Sequence, residues 1–268
     1  MGLLIAAAIA AAMPAATPAM EAPTNANPAI FVVRDADTTV YIFGTFHALD
    51  GKSEWFNDQV KDAFEKSDEL VLETLVPEHP ATALPKAQPL PQLRSLSVTP
   101  SASFLASTRM AISAGRSQGM QVSNGADMVL RRTAEAEGKD VEGLETLESQ
   151  LAMFTRMPPA PVAPAASTNA SPAPTMNSLT KSMAEMQSAW KRGDQSVFVR
   201  VLGQLERASP DTYRMMFIER NARWADWIRA RMQTPGTVFV AVGAGHLAGK
   251  DSVLAQLGER GIYSTRVN

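Results

Sequence analysis

The sequence predicts an α/β (α+β) fold: a central mixed sheet built from the N- and C-terminal segments, with a helical section inserted between them. Three observations carry the prediction. Short apolar runs rich in β-branched residues recur at both ends of the chain, amphipathic helical patterns alternate with them, and residues 177–232 show helical periodicity alone. With 268 residues, 45% hydrophobic and 19% charged, the chain is long enough for a sizeable core.

Taken in order, residues 3–13 read LLIAAAIAAAM, an apolar run followed by an Ala-, Pro- and Thr-rich stretch. That is the pattern of a secretory signal peptide over residues 1–22, although no Lys or Arg precedes the run. The run is too short to span a bilayer stably, so the expectation is a periplasmic or secreted protein with no membrane span in its mature form. A domain is expected over 29–268. Strands are predicted at 30–34, 39–43, 69–73, 140–145, 237–242 and 263–267. Helices are predicted at 53–66, with Ser53 as its cap, and at 101–117, 126–137, 147–156, 177–192, 195–208, 211–232 and 251–260. Proline marks the joints, with six of the 18 prolines between Pro77 and Pro100 and six more between Pro158 and Pro174. The second cluster lies in an uncharged Ala/Pro-rich stretch, read as a flexible linker over 157–176. Between 215 and 232, Phe217, Trp224, Ile228 and Met232 lie among arginines, as in a buried helix with a basic solvent face.

Composition narrows the chemistry. With 25 Lys+Arg against 27 Asp+Glu and no basic stripe, the chain lacks the electrostatic footprint of a nucleic-acid binder. With no cysteine, disulfides, thiolate metal sites and a Cys nucleophile are excluded. The three histidines, His47, His79 and His246, and the carboxylates are the whole inventory for a metal site. His79 lies in Pro-Glu-His-Pro, a loop in which an exposed and idle side chain is expected.

The other two end alike. Val40-Tyr-Ile-Phe runs into Gly44-Thr-Phe-His47, and Val238-Phe-Val-Ala-Val runs into Gly243-Ala-Gly-His246. Chance would give two such Gly-x-x-His matches in about one chain in a hundred of this composition. Gly44 and Gly243 at the strand ends permit either a sharp turn or a close approach by another group. The histidines would then project from the carboxyl edge of the sheet, where open α/β sheets place ligands. Glu73 and Glu145 end two further predicted strands. Such imidazoles and carboxylates can converge on one divalent ion, or act as general acid and base without a metal. The plainer alternative is that the two Glu residues cap helices or face solvent.

These motifs resemble the TraB/GumN family of exported bacterial proteins, related to the animal Tiki proteases and more remotely to erythromycin-esterase and ChaN-like proteins. The resemblance rests on Gly44-Thr-Phe-His47, Glu73 closing ELVLE, Gly125-Ala-Asp-Met-Val-Leu, GKDVEGLETLESQLAMF from Gly138, Glu219-Arg-Asn with Trp224, and VAVGAGHLAGKDSVLAQLGERGI from Val240. It departs at 101–118 and in the Ala/Pro-rich linker. What it implies is a metal-dependent hydrolase, specifically a Tiki-like peptidase acting on a peptide or small ester. A divalent ion (manganese, cobalt or zinc) would be held by His47, His246 and Glu73. Glu73, Arg220 and Glu145 would be catalytic, Arg220 binding an anionic group or an oxyanion. The esterase-like relatives imply the same residues working on water without a metal, with a His as base and Glu73 orienting it. A non-catalytic binding or regulatory protein of the same fold is the third expectation.

Overall fold

The computed structural model describes residues 24–75, 110, 113–156 and 176–268. The leader 1–22, His79, most of the linker and most of the helix expected at 101–117 lie outside these residues.

Eight strands are found among the described residues: β1 (Thr24–Asn25), β2 (Ile30–Arg34), β3 (Thr38–Thr45), β4 (Ser53–Glu54), β5 (Glu69–Thr74), β6 (Asp140–Glu145), β7 (Gly236–Gly243) and β8 (Thr265–Arg266). Six of them form a sheet in the order β6-β5-β7-β3-β2-β8, while β1 and β4 pair separately. The sheet is mixed, as expected. β6, β5, β7 and β3 run parallel, whereas β2 is antiparallel to both β3 and β8. β7, far along the chain, lies between β3 and β5, pairing Val240 with Ile42 on one side and with Val71 on the other.

The helices are α1 (Asp58–Glu65), α2 (Ala126–Glu137), α3 (Leu147–Arg156), α4 (Met176–Lys191), α5 (Ser196–Ala208), α6 (Pro210–Tyr213), α7 (Glu219–Arg231) and α8 (Val253–Glu259). Side chains alternate across the central strands, so the sheet is covered on both faces. On one face Phe43, Leu70, Leu72, Phe239 and Ala241 pack with Phe64 of α1, Leu130 of α2 and Trp190 of α4. On the other, Val40, Ile42, Val71, Val238, Val240 and Val242 pack with Trp224 and Ile228 of α7 and Leu257 of α8.

The last strand is shorter than expected, Thr265–Arg266 rather than 263–267, several other bounds shift by one or two residues, and two helices depart further from the sequence reading. The helix expected from Ser53 begins at Asp58, because Ser53 and Glu54 pair with β1 and Asn57 supplies the cap, accepting from the Gln59 and Val60 amides at 3.1 Å each. The single helix expected over 211–232 is three pieces. Pro210 opens α6, a wide π-helical turn occupies Arg214–Ile218, and α7 follows. Such wide turns free carbonyls from their usual helical partners and recur at functional sites. Here the Met216 carbonyl accepts a hydrogen bond from Arg220 Nη1 at 3.4 Å.

Candidate functional site

The four parallel strands end along one edge, at Thr45, Thr74, Gly243 and Glu145. That edge gathers His47, Glu73, Glu145 and His246, and α7 brings Arg220 onto them. Of the two roles open to the motif glycines, close approach is the one found: neither Gly44 nor Gly243 has a positive φ. A Cβ on Gly243 would lie 3.1 Å from both Glu73 Oε1 and His47 Nε2, and one on Gly44 would lie 3.2 Å from the Ala244 Cα. Gly243 therefore floors a cradle whose walls are a carboxylate and an imidazole.

Arg220 is the hub. Only 4% of its side chain is exposed, and its Nε donates to both Glu145 oxygens at 3.1 and 3.0 Å. Nη2 donates to Glu73 Oε2 at 3.0 Å, Nη1 faces His246 Nε2 at 3.3 Å, and the Trp224 ring lies 4.5 Å beneath the guanidinium. Arg223 adds a second donor to Glu145 at 3.1 Å. Four of the five guanidinium hydrogens are thus accounted for among the described residues, and one on Nη2 is left over. Glu145 is neither a helix cap nor solvent-facing; with 7% of its side chain exposed, it holds the arginine.

The two histidines sit in unlike surroundings. His246 lies in a tight turn after β7, 7% exposed, with Nδ1 2.6 Å from Asn221 Oδ1 and its ring 4.7 Å from Phe217 and 4.5 Å from Trp224. Burial, then the positive charge of Arg220 and His47, pushes it down to about 3, against the pull of Glu73. His47 stands at the rim with 61% of its side chain exposed and Nδ1 3.1 Å from Asp127 Oδ1. Surrounding protein opposes its charge, but the hydrogen bond and charge of Asp127, then Glu73, raise it to about 9. Because the ring is open to water, the Asp127 contact sets the direction of this shift and screening limits its size. Burial also opposes ionisation of Glu73, yet the neighbouring imidazoles, Arg220 and the Gly243 amide, which donates to Oε1 at 2.6 Å, hold it below the usual carboxylate range.

These shifts predict acid lability. Between pH 6.5 and about 3 the unfolded chain binds a proton at His246 that the native site refuses, and Glu73 likewise favours the native state only while ionised. Stability should therefore fall as pH drops through that window. Thermal melts from pH 7 to 3.5 read it directly, and a slope unchanged in His246→Gln would sink the assignment.

Two residues of the site, Asp127 and Asn221, have no role in the sequence reading. Asp127 stands in the Gly125-Ala-Asp motif, and its signal was the glycine: a Cβ on Gly125 would overlap the His47 carbonyl, and the Ala126 amide donates to the Phe46 carbonyl at 3.0 Å. This pins the start of α2 beside the His47 loop.

The donors do not converge as the implied ion requires. Glu73 Oε1 and His47 Nε2 share the cradle, but His246 Nε2 is turned to the Arg220 guanidinium, itself a fixed cation. Among the described residues no group of three His, Asp or Glu is arranged to hold a metal ion. As arranged, the residues do not fit one.

Among the described residues no helix is long and apolar enough to cross a membrane. No curated protein and no solved structure matches the chain. The TraB/PrgY/gumN family model matches residues 29–109 and 91–266, together spanning nearly the whole described fold and every residue of the site. The chain belongs to the TraB/PrgY/gumN family.

Proposed function

We propose that the chain is a hydrolase of carboxylic ester or peptide bonds. In this reading His47 and Glu73 hold a water molecule above Gly243, and Arg220 stabilises the substrate oxygen that gains charge. The cradle at Gly243 carries the reading, because the absent side chain lets a base and a carboxylate close on one point beside a guanidinium that keeps one N–H unpaired among the described residues. Neutral His47 takes a proton from the water through Nε2 while the hydroxyl oxygen bonds to the substrate carbonyl carbon. The spare Nη2 hydrogen of Arg220 faces the resulting oxyanion. As the tetrahedral adduct collapses, the bond to the alcohol or amine breaks and that group takes the proton back from His47. Asp127 stabilises the imidazolium in between. The apolar leader would export the enzyme to the periplasm or beyond.

A Tiki-like metal-dependent peptidase is the second reading, and one observation favours it. Both imidazoles tie Nδ1 to an oxygen and turn Nε2 toward the site, the orientation metal-ligating histidines adopt. It requires Arg220 to withdraw from His246.

Elemental analysis of the purified protein, beside ester and peptide hydrolysis with and without chelator, separates the readings. The expected result is turnover that survives chelation, rises toward alkaline pH as His47 loses its proton, and vanishes in His47→Gln. One equivalent of metal, with turnover abolished by chelator and restored by manganese or cobalt, overturns the first reading in favour of the second. Folded protein without turnover on any ester or peptide overturns both and favours a binding protein.

A further inference from the structure

The surroundings of His246 determine which of its nitrogens carries the proton. Asn221 is 1% exposed, and its Nδ2 donates to the Asp251 carbonyl at 2.7 Å, a group that can only accept. Its Oδ1 must therefore be the atom 2.6 Å from His246 Nδ1, which makes Nδ1 the donor. The other ring nitrogen, Nε2, meets Arg220 Nη1 at 3.3 Å, a group that can only donate. Both neighbours demand the same form of the ring, and Glu73 Oε1, 3.7 Å from Nε2, is beyond hydrogen-bonding distance. The opposite tautomer would set a lone pair against the Asn221 oxygen and an N–H against the guanidinium. Turning the amide over would set oxygen against the Asp251 carbonyl. Flipping the ring would set carbon against both the Asn221 oxygen and the guanidinium, losing both contacts, while Phe217 and Trp224 pack against the imidazole. The Asp251 end is itself anchored, with Oδ2 accepting from the Tyr213 hydroxyl at 2.9 Å and from Lys250 Nζ at 2.6 Å.

We propose that Asn221 is a positioning residue: it locks His246 as the Nδ1–H tautomer, so that the Nε2 lone pair accepts from Arg220 and aims the guanidinium's spare N–H at the substrate. Phe217, Arg220, Asn221 and Trp224 sit on the wide turn and the first turns of α7. One stretch of helix therefore supplies the arginine, the group that orients its histidine and the two rings that wedge the histidine in place. The consequence for turnover rests on the hydrolase reading; the lock itself does not.

With three histidines in the chain, nitrogen NMR of the imidazoles resolves the question, since His47→Gln and His79→Gln assign two signals and leave the third. In the wild type above pH 7, His246 should show the pure Nδ1–H pattern. Asn221→Leu should lose that pattern and lower kcat roughly 10–100-fold with KM less changed, a loss of the size seen when the orienting partner of a metal-ligating histidine is removed. Asn221→Asp, which keeps an oxygen at Nδ1, should retain the pattern. A wild-type Nε2–H pattern overturns the proposal even if Asn221→Leu fails to fold, and so does an unchanged Nδ1–H pattern in a folded Asn221→Leu. The signature is read without substrate, so absence of hydrolysis in the wild type counts against the hydrolase reading alone.

Discussion

Replacing Arg220 with Met should lower the melting temperature by roughly 6–20 °C, because it removes the buried cation shared by Glu73 and Glu145, 12% and 7% exposed, leaving Glu145 only the exposed Arg223 and Glu73 the Gly243 amide and the imidazoles. Breaking a buried pair from one side costs about 3–5 kcal/mol, most of it from the uncompensated charge left behind. The cause is separable from lost packing. Neutralising the orphans as well, in Arg220→Met/Glu73→Gln/Glu145→Gln, should recover much of the stability but none of the turnover. Arg220→Lys should melt nearer the wild type than Arg220→Met, since it keeps the charge, yet it cannot span Glu145, Glu73 and the Met216 carbonyl at once. Under the hydrolase proposal its turnover should fall about 100-fold or more, the loss seen when an oxyanion donor is removed. Circular dichroism melts check the series; equal melting temperatures for the single and triple variants would show that the carboxylates are not what Arg220 holds in check.

Gly243→Ala should separate activity from stability in the opposite direction. The added methyl would sit 3.1 Å from Glu73 Oε1 and from His47 Nε2, tighter than ordinary contact but against side chains rather than backbone. His47 is exposed and can swing away, so the fold should lose no more than about 1–3 kcal/mol, the usual range for modest overpacking. Under the hydrolase proposal the methyl intrudes where water would be held, and turnover should drop by about two orders of magnitude, as expected when reacting groups are displaced by an ångström. A folded Gly243→Ala enzyme with wild-type kcat would remove the cradle from the mechanism altogether.

Most of the sheet was legible because its strands are written in β-branched residues. The strand at Ile30–Arg34 falls where the periodicity puts it, and so does Asp140–Glu145, although Val141 is its only β-branched residue. Their order was not legible. That β7 lies between β3 and β5 follows from packing over long sequence separations, which no local pattern encodes. Ser53 was the natural helix cap by residue type, but the β1 pairing that claims it is a tertiary event. At the site, His47, His246, Glu73 and Glu145 could be read as strand ends, and Arg220 entered through the resemblance. Asp127 could not be read in this way. It acts through space on a histidine 80 positions earlier, and an aspartate in the first turn of a helix is explained well enough by the helix alone.

The central place of β7 also bears on how the protein comes to exist. Until residues 236–243 arrive, β3 and β5 have no common neighbour, and each presents an unpaired hydrogen-bonding edge in the middle of the future core. The same late segment carries Gly243 and is followed at once by His246. A nascent chain emerging from a ribosome or a membrane pore would therefore be both sticky and inert until residues 236–246 are delivered, and would then close its sheet and bring its site together in a single event.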